Sequence, residues 1–457
     1  MIDELADELG PAGLLRPGDQ PLDAYELPAR GAGGPALAVA RPIDVEQVRA
    51  VLRWARRHRT RVLPQGANTG LVGASVPPPG GPAPIVLSTD RLIDPSEISF
   101  PDRAAVVAAG TRLSRLNELA AEGGQWFPID LGADPSLGGM VATNTGGARM
   151  LRYGDVRRRL LGVQAVLADD DLSVLDDLST LRKDNTGVRP STLFVGSAGA
   201  LGVITRVAVE LAPTPGEQAC AYVMPAGDPV AALTELEAVL GPLLAAFEAM
   251  SGTAVDAAVA TVDGVRGPRP GPAPPMTVLV EAEGPGATEA LERACDHLVR
   301  SGTADDALAV PFDDAWKLRH SMSEGLARSA TVVGFDVSVP RHVLGTYRRE
   351  ILHDLPRRLP RARLADFGHW ADGGLHCNLL FPTEEPPSDA ECDVARDLVF
   401  GVAVDRYHGS YSAEHGIGPH NAAWWRRVTP PDEQRLTHSL RKVFDPDGIL
   451  GHPELPF

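Results

Sequence analysis

The chain has 457 residues, enough for two or three domains with substantial hydrophobic cores. Its 44% hydrophobic and 23% charged residues are typical of a globular protein and exclude a collagen-like, coiled-coil or wholly disordered chain. The formal net charge of −17 offers nucleic acid no broad cationic surface, so no nucleic-acid-binding role is expected.

The cysteines and the N-terminus bear on the compartment. Four cysteines are too few for a disulfide framework in so long a chain, and no Cys-x-x-Cys pair suggests a zinc ribbon or a redox dithiol. The N-terminal MIDELADE is acidic where a signal or transit peptide would be basic, and no apolar run reaches the length of about 18 residues that spans a bilayer. We therefore expect a cytoplasmic protein without a membrane-spanning segment.

The first elements in chain order alternate strand and helix. Residues 36–40 favour a strand, and residues 45–58 have apolar side chains at helical spacing after Asp44, a candidate N-cap. A strand at 61–64 then runs into a glycine-rich turn. This pattern predicts a first βα unit.

A second unit of the same kind follows. It contains a strand at 104–109, a helix with leucines at 113, 116 and 119 on one side, and strands at 163–167 and 203–209. The two units together predict a mixed α+β domain.

The second half of the chain begins after a proline-rich boundary at 213–216, which ends one domain near residue 214. Residues 264–275, rich in proline and glycine, predict a surface loop before a strand at 276–282. Beyond about residue 405 the pattern becomes helical. The predicted divisions are 1–214 with a core at about 36–213, 215–405, and a C-terminal segment at 406–457.

Four short segments of the first half are rich in glycine: 64–73, 132–140, 143–147 and 196–202. Each exposes backbone N–H groups beside small side chains, as close approach to a phosphate requires. None contains Gly-x-Gly-x-x-Gly, so a nicotinamide site of the Rossmann type is not supported. Together the segments predict loops that hold a large phosphate-bearing ligand.

The order of these motifs resembles the FAD-binding domain of the vanillyl-alcohol-oxidase/PCMH flavoproteins, and within them the D-2-hydroxyacid dehydrogenases. The resemblance rests on PQGANTGLVGAS at 64–75, DLGADPSLGGMVATNTGGARMLRYG at 130–154, VLAD at 166–169, LRKDNTG at 181–187 and LFVGSAGALGVIT at 193–205. LRKDNTG is most similar to the D-2-hydroxyglutarate dehydrogenases. The resemblance extends over about residues 36–454.

This resemblance implies an α+β fold: a PCMH-type FAD-binding domain of two α+β subdomains at 1–214, an antiparallel-sheet cap domain for substrate at 215–405, and a helical C-terminal segment that returns to the flavin domain. One departure from the family is Gly-Ser-Ala-Gly-Ala at 196–200 in place of Gly-Ser-Glu-Gly-Thr, which keeps the backbone donors. By motif match the residues that line the FAD site are Pro64, Gly66, Ala67, Asn68, Thr69, Gly70, Gly73, Ala74, Gly132, Ser136, Gly139, Thr143, Asn144, Gly147, Gly199 and Ile204.

Histidines and carboxylates cluster later in the chain. His369 and His376 flank an Asp-Gly-Gly sequence that predicts a tight turn, with the histidines on adjacent strands or at their ends. His376 and Asn378 would point to the same side of a strand. Further along, SAEHGIG at 412–418 adds a carboxylate and a third imidazole. The residues alone fit an open metal site, but a pair of histidines separated by a turn is more often structural or exposed.

The resemblance gives these residues roles. GHWADGGLHCN at 368–378 resembles the family's Gly-His-Leu-Gly-Asp-Gly-Asn-Leu-His-x-Asn, and SAEHGIG is the family's Ser-x-Glu-His-Gly-[Val/Ile]-Gly. It implies that His369, His376 and Glu414 bind a divalent metal, zinc first with manganese, cobalt and iron as alternatives, and that His415 is the catalytic base. In the implied reaction His415 takes the hydroxyl proton of a D-2-hydroxy acid, and the hydrogen on the carbinol carbon passes as hydride to flavin N5.

Substrate binding is implied at three further residues. Arg319 resembles the family arginine that binds the substrate carboxylate, Ser323 replaces a family threonine, and Asn378 completes the set. Two positions depart from the family, since Gly334 replaces a substrate-binding lysine and Gly374 an asparagine. D-2-hydroxyglutarate, D-malate and D-lactate are all candidate substrates, and a bulkier or less acidic hydroxy acid could occupy the space left at Gly334.

Other functions stay open on this sequence. A D-lactate dehydrogenase would differ only in substrate, a redox-neutral enzyme similar to alkylglycerone-phosphate synthase would use the same scaffold, and a non-catalytic flavin-binding subunit or degenerate paralogue would lack the chemistry. The electron acceptor is unknown, with a quinone, an electron-transfer flavoprotein, a cytochrome and oxygen all open. A homodimer is compatible with the sequence.

Overall fold

The computed structural model describes residues 2–457, which divide into two units. The first unit holds the chain up to Gly146, Asp155–Thr214 and Glu414–Phe457, and the second holds Gly147–Gly154 and Pro215–Ala413. The short stretch Gly147–Gly154 thus leaves the first unit and belongs to the second.

The helices have these bounds in chain order: α1 (Ile2–Leu9), α2 (Asp23–Glu26), α3 (Val45–His58), α4 (Leu113–Ala121), α5 (Leu137–Thr143), α6 (Met150–Tyr153), α7 (Val156–Arg159), α8 (Pro229–Leu240), α9 (Gly252–Thr261), α10 (Ala287–Ser301), α11 (Phe312–His320), α12 (Met322–Ser329), α13 (Leu344–Arg358), α14 (Asp389–Gly401), α15 (Ala422–Val428) and α16 (Pro431–Phe444). Short 3₁₀ turns lie at Pro190–Phe194, Gly241–Leu243 and Arg341–Val343, and a π-helical turn lies at Val402–Arg406.

The strands have these bounds: β1 (Leu14–Leu15), β2 (Ala38–Ala40), β3 (Val62–Gln65), β4 (Ile85–Ser88), β5 (Glu97–Ser99), β6 (Ala104–Ala108), β7 (Gln125–Trp126), β8 (Leu160–Val166), β9 (Val174–Asp176), β10 (Val203–Glu210), β11 (Ala212–Pro213), β12 (Gln218–Pro225), β13 (Leu244–Ser251), β14 (Met276–Glu283), β15 (Ala304–Val310), β16 (Thr331–Ser338), β17 (Arg363–His369) and β18 (Gly374–Phe381).

The first sheet of the first unit has the strand order β1–β2–β4–β3, with β2 and β3 parallel to β4. Helix α3 covers it with the bounds that the sequence predicts. The Asp44 side chain accepts a hydrogen bond from the N–H of Gln47 at 2.8 Å, so it caps the helix as predicted. Leu52 packs in a fully buried core with Ile85 and Leu450.

The second sheet of the first unit has the order β5–β6–β10–β8–β9 and is antiparallel throughout. Helix α4 packs against it, and Leu116 shares a buried core with Phe127 and Val207. The strands predicted at 104–109, 163–167 and 203–209 are therefore confirmed as neighbours in one sheet.

The second unit is built on a seven-stranded sheet, β15–β12–β14–β13–β17–β18–β16. All of its pairings are antiparallel, as predicted for the cap. On one face Val255 of α9, Trp316 of α11 and Leu326 of α12 pack with Met250 and Leu279 of the sheet in a buried core. Glu248 lies two residues before Met250 on β13, so its side chain shares this face.

The C-terminal segment differs from the expectation in one stretch. Residues 408–421 are irregular, and helix resumes only at α15. Left-handed backbone at His408 and Gly416, with φ of 52° and 80°, is incompatible with a continuous α-helix. Within residues 2–457 no helix combines the length and the apolar character needed to cross a bilayer.

A buried network of charges fastens α6 to the sheet of the second unit. The Arg149 guanidinium lies 3.0 Å from Glu281 Oε2 and 3.3 Å from Glu283 Oε1, and both carboxylates have no exposed surface. The Tyr153 hydroxyl donates a hydrogen bond to Glu283 Oε2 at 2.6 Å. Two adjacent carboxylates of β14 thus hold the segment that carries α6.

This network makes stability depend on pH. Burial raises the pKa of Glu281 to about 8, and the neighbouring Glu283 adds to the rise while Arg149 opposes it. An unfolded glutamate has a pKa of about 4.3, so the folded chain holds an extra proton between the two values. The stability that this extra proton contributes is complete below the unfolded pKa of about 4.3 and is lost as the pH rises towards 8.

We expect Glu281→Gln to flatten this dependence, because the amide replaces the protonated carboxyl. The free energy of unfolding of the wild type should fall with a slope of up to about 1.4 kcal/mol per pH unit through the neutral range, and that of the variant should fall less. Urea unfolding at several pH values measures both slopes. Parallel curves for the two proteins would show that Glu281 ionises normally.

Candidate active site

The first unit brings its glycine-rich segments together. A Cβ added to Gly66 would lie 2.2 Å from Ser136 Oγ, and one added to Gly199, whose φ is +76°, would lie 3.2 Å from Pro64 Cγ. Only glycine permits the first approach without displacing a side chain. The segments at 64–73, 132–140 and 196–202 therefore meet in one place, as the sequence predicts.

Polar side chains fix the shape of the first glycine-rich segment. Gln65 Nε2 donates hydrogen bonds to the carbonyls of Tyr25 and Ser75, at 2.9 and 2.8 Å. Asn68 Nδ2 donates to the Leu27 carbonyl at 2.9 Å, and Asn68 Oδ1 accepts from the Ser75 hydroxyl. The side chain of Asn68, predicted to line the cofactor site, thus fixes its own loop through Leu27 and Ser75. Gln65 is a residue that sequence reasoning missed.

A buried hydroxyl tests whether these segments fit a phosphate. Ser136 precedes α5 and is 2% exposed, and its Oγ has no hydrogen-bond partner among residues 2–457. The Oγ lies beside the open positions at Gly66 and Gly139, where an added Cβ would come within 2.2 and 3.1 Å of it. A buried hydroxyl without a partner is costly in a finished structure. Ser136 therefore fits a bound phosphate oxygen.

The remaining residues predicted to bind the cofactor are spread as follows. The Thr143 hydroxyl donates to the Gly139 carbonyl at 3.0 Å, and Asn144, with φ of 53°, donates through Nδ2 to Asp155. The others are Ala67, Thr69, Gly70 and Gly73 in the first glycine-rich segment, Ala74 directly after it, Gly132, which is exposed before α5, Ile204 in β10, and Gly147, which belongs to the second unit.

The turn that carries the Ser-x-Glu-His motif is clamped by one asparagine. Asn421 is 5% exposed; its Nδ2 donates to the Gly416 carbonyl and its Oδ1 accepts from the N–H of Gly418, both at 2.9 Å. A Cβ on Gly418 would lie 2.3 Å from the Val72 carbonyl oxygen, so the turn packs directly on the first glycine-rich loop. The turn that carries His415 and the first glycine-rich loop are thus neighbours in the first unit.

The second unit brings the two histidines of the hairpin together. His369 ends β17 and His376 lies in β18, with ring centroids 5.3 Å apart and ring planes at 78°. Asp372 Oδ1 accepts the N–H of Gly374 at 2.7 Å, which confirms the predicted tight turn. Asn378, buried in the same strand, donates to the His376 carbonyl at 3.3 Å.

Each of these imidazoles has a buried carboxylate at Nδ1. The distance from His369 Nδ1 to Glu248 Oε1 is 2.6 Å, and that from His376 Nδ1 to Asp336 Oδ1 is 3.5 Å. A histidine whose Nδ1 is hydrogen-bonded to a carboxylate presents Nε2 to a metal, and His369 has this arrangement, whereas the longer distance at His376 is that of an ion pair. Sequence reasoning gave neither carboxylate a role, although each is a lone acidic residue within an apolar strand, LAAFEAMS and TVVGFDVS.

Arg319 lies on α11 and is 8% exposed. Its Nε donates to Glu248 Oε2 at 2.6 Å, and its guanidinium carbon lies 4.9 Å from the centre of the Phe367 ring. Burial raises the pKa of Glu248, but His369 and Arg319 outweigh burial and bring that pKa below its ordinary value. Ser323, predicted to act beside Arg319, is exposed on the next helix.

The predicted metal ligands are divided between the units. His369 and His376 belong to the second unit with Glu248, whereas Glu414 belongs with His415 to the first.

Comparison with known protein families assigns this chain. The model for an FAD binding domain matches residues 36–176, and the model for the C-terminal domain of FAD linked oxidases matches residues 223–452. The chain belongs to the FAD-linked oxidase family. It is an FAD-dependent oxidoreductase, and the predicted flavin cofactor is supported.

Individual relatives of this FAD-linked oxidase agree. A D-2-hydroxyglutarate dehydrogenase from Bos taurus is 34% identical over 466 residues, which cover 97% of this chain and 82% of the relative. A D-2-hydroxyglutarate dehydrogenase from Stutzerimonas stutzeri is 32% identical and covers 98% of this chain and 97% of its own length. A solved structure of p-cresol methylhydroxylase with substrate bound has a TM-score of 0.74 at 15% identity, covering 100% of this chain and 96% of the other. That likeness confirms the predicted PCMH-type fold.

Proposed function

We propose that this FAD-linked oxidase is a divalent-metal-assisted dehydrogenase that oxidises a D-2-hydroxy acid to the 2-oxo acid. The observation that carries the proposal is the pair His369 and His376, backed at Nδ1 by buried carboxylates and adjoined by a buried arginine that shares Glu248 with His369. The names of the Bos taurus and Stutzerimonas stutzeri relatives support the substrate class.

The donor chemistry fits a metal. His369 and His376 would supply imidazole nitrogens, and Glu414 a carboxylate oxygen, a set that suits zinc first and manganese, cobalt or iron as alternatives. The role of Glu414 as a ligand rests on its motif alone. When bound, the metal lowers the pKa of the substrate hydroxyl and FAD accepts the hydride.

The chain's own residues bind the substrate and move its proton. The imidazole of His415 would take the hydroxyl proton, a role that its motif supports. Arg319 has its Nε occupied by Glu248, which leaves its two terminal amino groups as the edge that binds a carboxylate in bidentate fashion. Asn378 and Ser323 keep their predicted roles as further polar contacts for the substrate.

An anaerobic titration tests this function. D-2-hydroxyglutarate, D-malate, D-lactate and a bulkier D-2-hydroxy acid are added to the purified flavoprotein, with and without a chelator, while the visible flavin spectrum is followed. Bleaching by one acid that the chelator abolishes is the expected result. A flavin that none of these acids bleaches would favour a redox-neutral enzyme or a non-catalytic flavin-binding subunit instead.

Gly334 bears on which hydroxy acid the enzyme oxidises. It lies in the middle of β16, opposite Asn378, and Asp336 of the same strand lies opposite His376. Residues two apart on a strand share a face, so a side chain at 334 would stand on the face of the histidines. The glycine removes the cation that the family resemblance places here.

We expect Gly334→Lys to raise kcat/KM for D-2-hydroxyglutarate about tenfold, as one charged hydrogen bond of ~1.4 kcal/mol would do. D-lactate, which lacks the second carboxylate, should gain little. Steady-state kinetics on both acids measures the effect, and Gly334→Gln controls for side-chain bulk without charge. A folded Gly334→Lys enzyme with no gain would show that the second carboxylate is bound elsewhere.

A further inference from the structure

One carboxylate of the second unit joins two residues that the proposed function uses separately. Glu248 is the only acidic residue of β13, a strand whose eight residues are all buried. Its Cα is paired in register with that of His369 across the sheet. A carboxylate with no exposed surface at the centre of a sheet is strongly destabilising unless charged or hydrogen-bonding partners compensate it.

Both oxygens of Glu248 have such a partner. Oε1 lies 2.6 Å from His369 Nδ1, and Oε2 accepts from Arg319 Nε at 2.6 Å. Because one rigid carboxylate group makes both contacts, the imidazole and the guanidinium cannot turn independently. The strand holds Glu248 in turn, through its pairings with β14 on one side and β17 on the other.

The consequence for His369 concerns its tautomer. A carboxylate at Nδ1 favours the form that carries its proton there, and the lone pair is then on Nε2, the nitrogen that binds a metal. The consequence for Arg319 concerns direction. With Nε held by Glu248 and the guanidinium stacked against Phe367, its terminal amino groups are fixed in one plane.

We propose that Glu248 is a positioning residue that sets the tautomer of His369 and the direction of Arg319 at the same time, and so couples metal binding to binding of the substrate carboxylate. The inference rests on the proposed function, in which His369 binds metal and Arg319 binds substrate. Glu248 would act through these two residues.

The test compares two buried glutamates of adjacent strands in the FAD-loaded enzyme. Glu248→Gln keeps the shape of the side chain but replaces one acceptor oxygen with a donor amide, so it cannot serve both partners. Glu281→Gln is the matched control, because Glu281 is equally buried but pairs with Arg149 instead. Zinc affinity is measured by competition with a chelating dye, and KM and kcat are measured for the hydroxy acid that bleaches the flavin.

Glu248→Gln should weaken zinc binding about 10–100-fold and raise KM, while Glu281→Gln leaves zinc affinity unchanged. Glu248→Asp, which restores the charge with a shorter reach, should recover part of the zinc affinity. If the wild type takes up no divalent metal, the proposed function fails. If the wild type takes up zinc and Glu248→Gln takes it up equally well, the positioning role alone is overturned.

A measurement on the wild type keeps the inference testable should Glu248→Gln fail to fold. Nitrogen-15 spectra of histidine-labelled, metal-free protein report the tautomer of each ring, and the signal of His369 is assigned by its loss in His369→Asn. A proton on Nδ1 is the expected result. A proton on Nε2 with Nδ1 bare would overturn the role of Glu248.

Discussion

His415→Ala should retain FAD yet reduce it about 10²–10⁴ times more slowly when a D-2-hydroxy acid is added, the usual effect of losing a positioned base. The flavin should stay because residues other than His415 hold the turn that carries it. Asn421 holds that turn through the backbone of Gly416 and Gly418, and Gly418 packs on Val72 of the first glycine-rich loop. A smaller side chain at 415 leaves these contacts intact.

Anaerobic stopped-flow mixing measures the rate of flavin bleaching directly. The rate for the wild type should rise with pH as a base is deprotonated, and His415→Ala should lose that rise, which a merely structural role would not predict. His438→Ala, an exposed histidine on α16 of the same unit, is the matched control and should bleach at the wild-type rate. Wild-type bleaching by His415→Ala would remove the base assignment.

Local patterns in the sequence predicted the elements that depend on local physics. Helix α3 has the predicted bounds because its cap at Asp44 and its apolar spacing lie within one stretch of chain. The hairpin of β17 and β18 follows from the turn residues between the histidines. The glycine-rich segments were predicted to act together, and three of them meet in the first unit, because glycine permits the close approach of one segment to another.

Residues that act over long distances in sequence escaped prediction. Gln65 binds the Tyr25 carbonyl 40 residues away, and Glu248 meets His369 across 121 residues. Their role depends on strand register, which hydrophobic pattern alone does not specify between distant strands. A lone acidic residue in an apolar strand was the available signal, since such a residue needs a buried partner.

Asn68 and Arg319 show the opposite limit, where a motif identifies a residue but not its bonds. Asn68 lies in the predicted flavin loop, yet its amide closes that loop on Leu27 and Ser75. Arg319 is a predicted carboxylate binder, yet its first partner is the chain's own Glu248. Family motifs transfer residue types, whereas the partners of each side chain follow from packing.

The stretch Gly147–Gly154 could not have been assigned to the second unit from the sequence, because it continues a flavin-loop motif without a break. Its anchor is Arg149, whose guanidinium lies 4.5 Å from the centre of the Trp316 ring while it pairs with Glu281 and Glu283. Substitution of Arg149 is therefore expected to have the largest effect on the free energy of unfolding.

Arg149→Met should lower the free energy of unfolding by about 3–5 kcal/mol, because it removes one partner of a buried ion pair and leaves carboxylates without their cation. Methionine keeps most of the apolar stem over Trp316, so the loss reports charge more than volume. Urea unfolding measures it, and hydrogen exchange of the amides of α6 should become faster than in the wild type.

A double variant separates the loss of charge pairing at Arg149 from the loss of packing. In Arg149→Met with Glu281→Gln residue 281 cannot ionise, so at pH values above about 8, where Glu281 would carry a charge, the double variant should be more stable than Arg149→Met alone. The coupling between the two changes should shrink at neutral and acidic pH, because Glu281, whose pKa is raised to about 8, is then protonated in the single variant as well. Costs that simply add at every pH would mean that Arg149 contributes by packing on Trp316 and not by pairing with Glu281.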